Sequence, residues 1–215
     1  MSDDSLRGYY AARAVEYDRI YARPERQADL RAIEQWLPSV LQGRSVLEVA
    51  CGTGYWTQFL APAATGVLAV DAAPQTLDIA RSRVAAPHVR FVVGDAYALP
   101  EDEATHDGAF AGFWISHVPR SRMGEFLRGL HARLVPGATV VFLDNRFVAG
   151  SSTPVAERDA EGNTYQLRRL EDGSTYRVLK NFPGEREMRD ALGALARDIR
   201  WHAWEYYWAV VYTVA

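Results

Sequence analysis

Cysteine and lysine are nearly missing from this 215-residue chain: Cys51 and Lys180 are each the sole residue of their kind. A single cysteine excludes an internal disulfide, so a reducing cytoplasm is the expected compartment. The 24 basic residues are otherwise all arginine, they form no dense block, and the net charge is −3. Nucleic-acid binders carry a basic stripe that neutralises phosphates; none is visible, so no nucleic-acid partner is expected. No apolar run approaches the ~20 residues of a membrane-spanning helix. Residues 1–6 are acidic and polar, so neither a secretory signal nor a membrane partner is expected. The sequence also lacks internal repeats, low-complexity tracts and any linker long enough to separate domains. Its length suits one medium domain of about ordinary globular composition, with 48 % apolar and 24 % charged residues.

What is present alternates. Residues 6–23 predict an amphipathic helix with aromatic side chains at helical spacing, interrupted by Pro24; a second helix is predicted over about 25–41. Apolar strands follow at 45–50, 67–72, 91–93, 108–115 and 138–145, with helices predicted at the turn after residue 51, at 74–84 and at 120–134. Continuous apolar strands separated by helices predict an α/β fold, a doubly wound, mostly parallel sheet covered on both faces. The last third reads differently. TYQLRRL and STYRVLKN flank Glu171, Asp172 and Gly173, a β-hairpin signal, and a helix at about 185–196 precedes two aromatic strands that predict an antiparallel edge pair.

The segment VLEVACGTGYW, residues 46–56, lies where a doubly wound sheet binds its ligand, at the C-terminal end of the first strand. Gly52 and Gly54 let backbone pass close to a ligand, and the following helix offers free N–H groups. Such glycines also make plain tight turns. Three carboxylates strengthen the ligand reading. Asp71 ends the second strand about twenty residues on, where a carboxylate can accept ribose hydroxyls. Asp95, in Gly94-Asp95-Ala96, follows the third strand, where a side chain can meet an adenine amino group. Glu48 sits within an apolar strand, which is costly without a hydrogen-bonded role.

VLEVACGTGYWT, VLAVDAA and GDAYALP resemble the successive motifs of class I S-adenosylmethionine (SAM)-dependent methyltransferases, well over about residues 5–150 and loosely beyond. Thr57 replaces the third glycine of the dinucleotide fingerprint, which counts against a nicotinamide cofactor. The resemblance implies a seven-stranded sheet of the Rossmann-like class I kind and SAM as cofactor. It assigns the ribose to Asp71 with Ala72, the adenine edge to Asp95 with Ala96, and the methionine moiety to the backbone from Ala50 to Gly54. Glu48, Trp56 and Phe113 join them as candidate cofactor contacts. YYAARAVEYD resembles the N-terminal lid of small-molecule members. On that resemblance Tyr9 and Tyr17 would reach the cofactor, and Tyr10 and Arg13 the acceptor; helix packing explains any one tyrosine equally well. The implied layout is lid helices at 1–42, a cofactor core at 43–150, a hairpin cover at 151–183, and a final helix and strands at 184–215.

On the acceptor side, WISHVP follows the fourth strand and lacks the Asn/Asp-Pro-Pro-aromatic motif of members that methylate nucleobase or amide nitrogen. His117 is the candidate catalytic residue, as a base near an acceptor hydroxyl; it could also orient substrate or cap the next helix. WISHVP, GTGYWT and LEDGSTYRVLKNF are most similar to the phosphonate O-methyltransferases of dehydrophos biosynthesis and their relatives. That resemblance brings Trp114, Arg146, Tyr176, Arg177 and Lys180 toward an acceptor, although hairpin cations are often simply solvated. Tyr165, Tyr206, Tyr207 and Trp208 add aromatic surface that core packing also explains. No metal is assigned. The expected partner is a small-molecule acceptor in secondary metabolism, attacking the methyl group through oxygen, with the protein a monomer or homodimer. Aminocarboxypropyl transfer or cyclisation of SAM, a non-catalytic SAM-binding module and a nicotinamide oxidoreductase are the rival readings.

Overall fold

The structure, a computed structural model, describes residues 17–101, 105–170 and 173–215, with the backbone alone at Tyr17. Tyr9, Tyr10, Arg13, the side chain of Tyr17 and the hairpin turn at Glu171 and Asp172 lie outside the described residues. Two 3-10 turns, Tyr17–Ala22 and Pro24–Arg26, lead into α1 (Gln27–Val40).

Seven strands form the main sheet: β1 (Ser45–Val49), β2 (Gly66–Asp71), β3 (Val89–Val93), β4 (His106–Gly112), β5 (Leu134–Asn145), β9 (Ala196–Ala203) and β10 (Tyr207–Val214). The short α2 (Thr57–Leu60) follows β1, and α3 (Pro74–Arg83) follows β2. The strand order is β3-β2-β1-β4-β5-β10-β9, and β10 runs antiparallel to both neighbours. The sheet is doubly wound and mostly parallel, as the alternating pattern predicts. The last pair is antiparallel and closes one edge of the sheet as expected, with β10 between β5 and β9, and β9 outermost. Its composition fits that place: β10 is buried along almost its whole length, whereas β9 is largely exposed.

Side chains of β1 alternate between two cores. Leu47 and Val49 face the core of α4 (Met123–His131) and α5 (Glu185–Leu192), with Phe126, Leu127, Leu130, Met188 and Leu192. Val46 faces Leu30, Ile33 and Leu37, which recur at helical spacing along one stripe of α1. Strand order reverses between β1 and β4, so the chain leaves these two neighbours in opposite directions and opens a crevice at their C-terminal ends.

Several boundaries shift for identifiable reasons. Residues 108–115 are apolar throughout, yet β4 stops at Gly112 because Phe113 takes a φ of 60° and turns the chain into the 3-10 helix Ile115–His117. The helix expected to reach 134 ends at His131, and β5 begins early at Leu134. Gly193, at φ 45°, ends α5 after Leu192. The hairpin forms as β7 (Thr164–Arg169) and β8 (Thr175–Leu179), antiparallel, and gains a third strand, β6 (Glu157–Arg158), whose two polar residues carry no strand signal. Among the described residues no helix is long and apolar enough to cross a membrane.

Candidate functional site

The glycine turn follows β1 through a run of left-handed backbone: Ala50 at φ 55°, Gly52 at 57° and Gly54 at 73°. Phe113, across the crevice at the end of β4, also has a positive φ, 60°. Two non-glycine residues held this way on facing strand ends are strained backbone of the kind that collects at ligand sites. Asp71, at the end of β2, fixes the turn. Its Oδ2 accepts from the Gly52 N–H at 2.9 Å, and its Oδ1 accepts from the Ala73 N–H at 2.9 Å and the Thr76 hydroxyl at 3.1 Å. Burial raises its pKa, opposed by these N–H donors. A carboxylate has about four acceptor sites, so Oδ2 can still receive a ligand hydroxyl.

Glu48 is buried beneath the turn, where its Oε2 accepts from the Thr57 hydroxyl at 2.7 Å. Desolvation pushes its pKa up to about 8. The residue that breaks the dinucleotide fingerprint is thus the partner of the strand carboxylate. Asp95 accepts from the Tyr97 N–H at 2.9 Å, with Ala96 buried beside it. Trp114 packs its ring against Tyr97 and Phe126, on this side of the crevice, and its buried indole N–H has no partner among the described residues. Trp56 is buried among Tyr21, Tyr55, Phe59, Phe110 and Phe113.

Gly54 has a second constraint. A Cβ there would sit 3.0 Å from the Ala80 Cβ and 3.1 Å from its Cα, in α3. Gly54→Ala therefore combines left-handed strain with overpacking, and a loss of about 2 kcal/mol is expected. For a chain of this size that is a fall in Tm of roughly 4–8 °C, read by scanning calorimetry; an unchanged Tm would show that the turn is loose.

The cofactor turn is also tied to the N-terminal segment. Asp18 accepts from the Thr53 hydroxyl at 2.6 Å and pairs with Arg83, whose Nη1 donates to the Thr53 carbonyl at 2.8 Å. Neither Asp18 nor Arg83 stands out in the sequence, since an acid on a polar helix face and an arginine in a last turn are ordinary.

Beyond Phe113 a cavity of about 310 Å³ opens between the 3-10 turns, the end of β5 and the small sheet. Arg23, Arg26, Arg168, Arg169 and Lys180 line it, as does His117, and no Asp or Glu is among its described lining residues. Lys180 is not a solvated hairpin charge. It is buried, and its Nζ donates to the Ser116 hydroxyl at 2.6 Å and to Asp144 Oδ1 at 3.1 Å. Desolvation, opposed by Asp144, pushes its pKa down to about 8. Asp144 is itself held by the Ser116 N–H at 2.8 Å and the Asn145 N–H at 2.7 Å. Asp144 is not among the residues singled out by sequence, although it closes an apolar strand as Asp71 does and that signal could have found it; Arg26 and Arg168 carry none. Arg26 is buried, donates to Asn145 Oδ1 at 3.0 Å and Ser151 Oγ at 2.9 Å, and lies over the Tyr206 and Tyr207 rings.

His117 Nδ1 lies 2.6 Å from the Leu179 carbonyl oxygen. A carbonyl only accepts, so Nδ1 carries the proton and the lone pair of the neutral ring is on Nε2. The structure thus gathers Phe113, His117 and Lys180 at one cavity. Arg146 lies outside its lining, exposed, donating to the Trp204 carbonyl at 2.5 Å. Tyr176 packs against Leu170 and Val178 on the small sheet, and Arg177 lies over the Tyr165 ring. Trp208 stacks on Trp201 in the core.

Residues 46–137 match the family described as the methyltransferase domain. A malonyl-[acyl-carrier protein] O-methyltransferase from Serratia marcescens is 33 % identical over 112 residues, 51 % of this chain and 40 % of that protein. A demethylmenaquinone methyltransferase from Shouchella clausii is 34 % identical over 111 residues, 49 % of this chain and 46 % of that protein. The chain therefore spans less than half the length of the curated relatives it matches. With the strand order and the glycine turn, these matches make the chain similar to the class I SAM-dependent methyltransferases. Within that class the chain resembles the dehydrophos methyltransferase DhpI. The DhpI-SAH complex superposes with a TM-score of 0.81 at 27 % identity, covering 99 % of this chain and 96 % of that one. The DhpI-SAM-HEP complex gives 0.80 at 27 %, covering 99 % of each chain.

The residues present fit SAM. The glycine turn brings backbone into the crevice, and the Asp71 carboxylate retains acceptor capacity for ribose hydroxyls.

Proposed function

We propose that this protein methylates an oxygen of a small anionic acceptor, a phosphonate or carboxylate, in secondary metabolism. One observation carries the reading: charge is segregated along the crevice. Asp71 ends β2 and Asp95 lies just beyond β3, on the side that would hold SAM, whereas the adjoining cavity presents five cationic side chains and no carboxylate among its described lining residues. When bound, SAM supplies a sulfonium-activated methyl group open to in-line attack.

The chain's own residues orient the acceptor and exclude water. Lys180 has three N–H donors, two of them committed to Ser116 and Asp144, which leaves one for an acceptor oxygen. Its burial strengthens that contact relative to one in water. Asn145 and Ser151 hold Arg26 at the wall as a second fixed positive charge. An anionic oxygen is already nucleophilic and needs no general base, so His117, fixed by its bond to Leu179, positions the acceptor. Toward a hydroxyl acceptor the same Nε2 lone pair would serve as base. Positioning of this kind can supply about 7–11 kcal/mol. By resemblance, Tyr9 and Tyr17 would close over the cofactor and Tyr10 and Arg13 over the acceptor.

The test is mass spectrometry of the purified protein with SAM and a panel of small phosphonates, carboxylates and phenols. Methyl esters forming with S-adenosylhomocysteine are the expected products. Methylthioadenosine accumulating instead would mean cleavage at the aminocarboxypropyl carbon, and methyl transfer would be abandoned. Phenol ethers without any ester would overturn the anionic acceptor.

A further inference from the structure

The cavity that holds the cations is larger than an anionic headgroup and has an apolar side. At about 310 Å³ it has room for roughly ten water-sized groups, about twice the heavy atoms of a phosphonate with its attached carbon. Among its other described lining residues, Ile20, Phe113, Leu167, Leu170 and Phe182 are apolar, and Asn145, Ser151, Ser152, Thr153 and Gln166 are uncharged polar groups. Leu167 is 51 % exposed although it lines the cavity, while its neighbours Gln166 and Leu170 are buried. Phe147, 47 % exposed, meets the Phe182 ring edge to face at 5.3 Å. Large apolar side chains left in water at this one mouth are the mark of a surface that a ligand covers.

We propose that the acceptor is an amphiphile: an anionic group held by Lys180, joined to an apolar chain or ring of about five carbons that lies along Leu167, Leu170 and Phe182. This rests on the anionic-acceptor reading above. The polar and apolar walls meet in one cavity, so a single molecule spans both. The short β7 supplies both kinds of contact. It is a strand of a small three-stranded sheet, and residues 166–170 all reach the cavity.

The experiment is a series of n-alkylphosphonates from methyl to hexyl, read as kcat/KM with SAM and as Kd by calorimetry with S-adenosylhomocysteine present. Each buried methylene should raise kcat/KM about threefold to fourfold, mainly through KM, until the apolar wall is covered. Leu167→Gln, a change at a half-exposed strand position that the fold should tolerate, should flatten the series in both readouts. Methylation at a rate that is flat or falling with chain length would overturn the amphiphile while leaving the anionic reading in place. Failure of every phosphonate and the corresponding alkyl carboxylates to be methylated or bound would overturn both.

Discussion

Lys180→Met is expected to lower kcat/KM for an anionic acceptor by at least about 100-fold, equivalent to ~2.7 kcal/mol. A hydrogen bond to a charged group is worth about 1.5–3 kcal/mol, and here the partner charge is also lost from a buried site. The loss is compounded by Asp144. Without the ammonium its carboxylate stands beside the cavity with the Ser116 and Asn145 backbone donors, at 2.8 and 2.7 Å, and the Asn145 side-chain amide at 3.3 Å, and repels the acceptor. Breaking a buried ion pair costs about 3–5 kcal/mol; the three surviving N–H bonds place this one near the lower figure. A fall in Tm of roughly 6–12 °C is therefore expected. The double variant Asp144→Asn with Lys180→Met separates the effects: Tm should recover while kcat/KM stays low. Recovery of activity in the double variant would show that Lys180 serves only to neutralise Asp144.

The same residue gives the site a pH dependence with opposite signs for folding and function. Its folded pKa of about 8 lies below the ordinary lysine value of 10.5. Between those values the unfolded chain holds a proton that the folded chain has released, so stability from this group rises with pH. Below 8 both states are charged and the folded protein carries the full cost of burying the ammonium. Acceptor binding requires that ammonium, so kcat/KM should fall about tenfold per pH unit above the Lys180 pKa. Lys180→Arg, charged throughout, should lose that alkaline limb. A profile that keeps it would assign the titration elsewhere.

The strands and the cofactor turn were legible because their physics is local. Continuous apolar runs report burial on both faces, glycines report positive φ, and a carboxylate at the end of an apolar strand reports a role that offsets its burial. The fold class followed from those signals, as did the places of Asp71 at the end of β2 and Asp95 just beyond β3. Other features depend on contacts between distant segments. Lys180 reads as a hairpin cation until β8 is seen to deliver it beneath Ser116 and Asp144, 64 and 36 residues away in sequence. The left-handed turn at Phe113 is set by its backbone bond to Leu143, which hydrophobic periodicity does not encode. β10 lies inside β9 because Tyr207 and Trp208 register against Asn145 and Asp144, an order within the edge pair that two consecutive aromatic strands do not encode.

On the cofactor side, Asp71→Asn should raise the Kd for SAM by about 10–100-fold, with secondary structure retained in circular dichroism. The change preserves shape and removes a buried charge, so the folded state is spared a desolvation cost. It fails on hydrogen-bond polarity. The backbone groups facing each carboxylate oxygen are donors, the Gly52 N–H at Oδ2 and the Ala73 N–H at Oδ1. An amide offers one acceptor oxygen, so its NH2 must face a donor in either orientation. Placed toward Gly52, it loosens the glycine turn and removes the oxygen that would receive a ribose hydroxyl. Placed toward Ala73, it loses the bonds that orient the start of α3. Each orientation leaves a buried donor unmatched, at about 1–3 kcal/mol, which is the expected range in Kd. Asp71→Ala should be worse, because it removes both oxygens. Calorimetry with SAM and with S-adenosylhomocysteine should show equal losses, since the ribose is common to both. A loss confined to SAM would move Asp71 from the ribose to the sulfonium. An affinity within twofold of wild type would remove it from the cofactor site altogether.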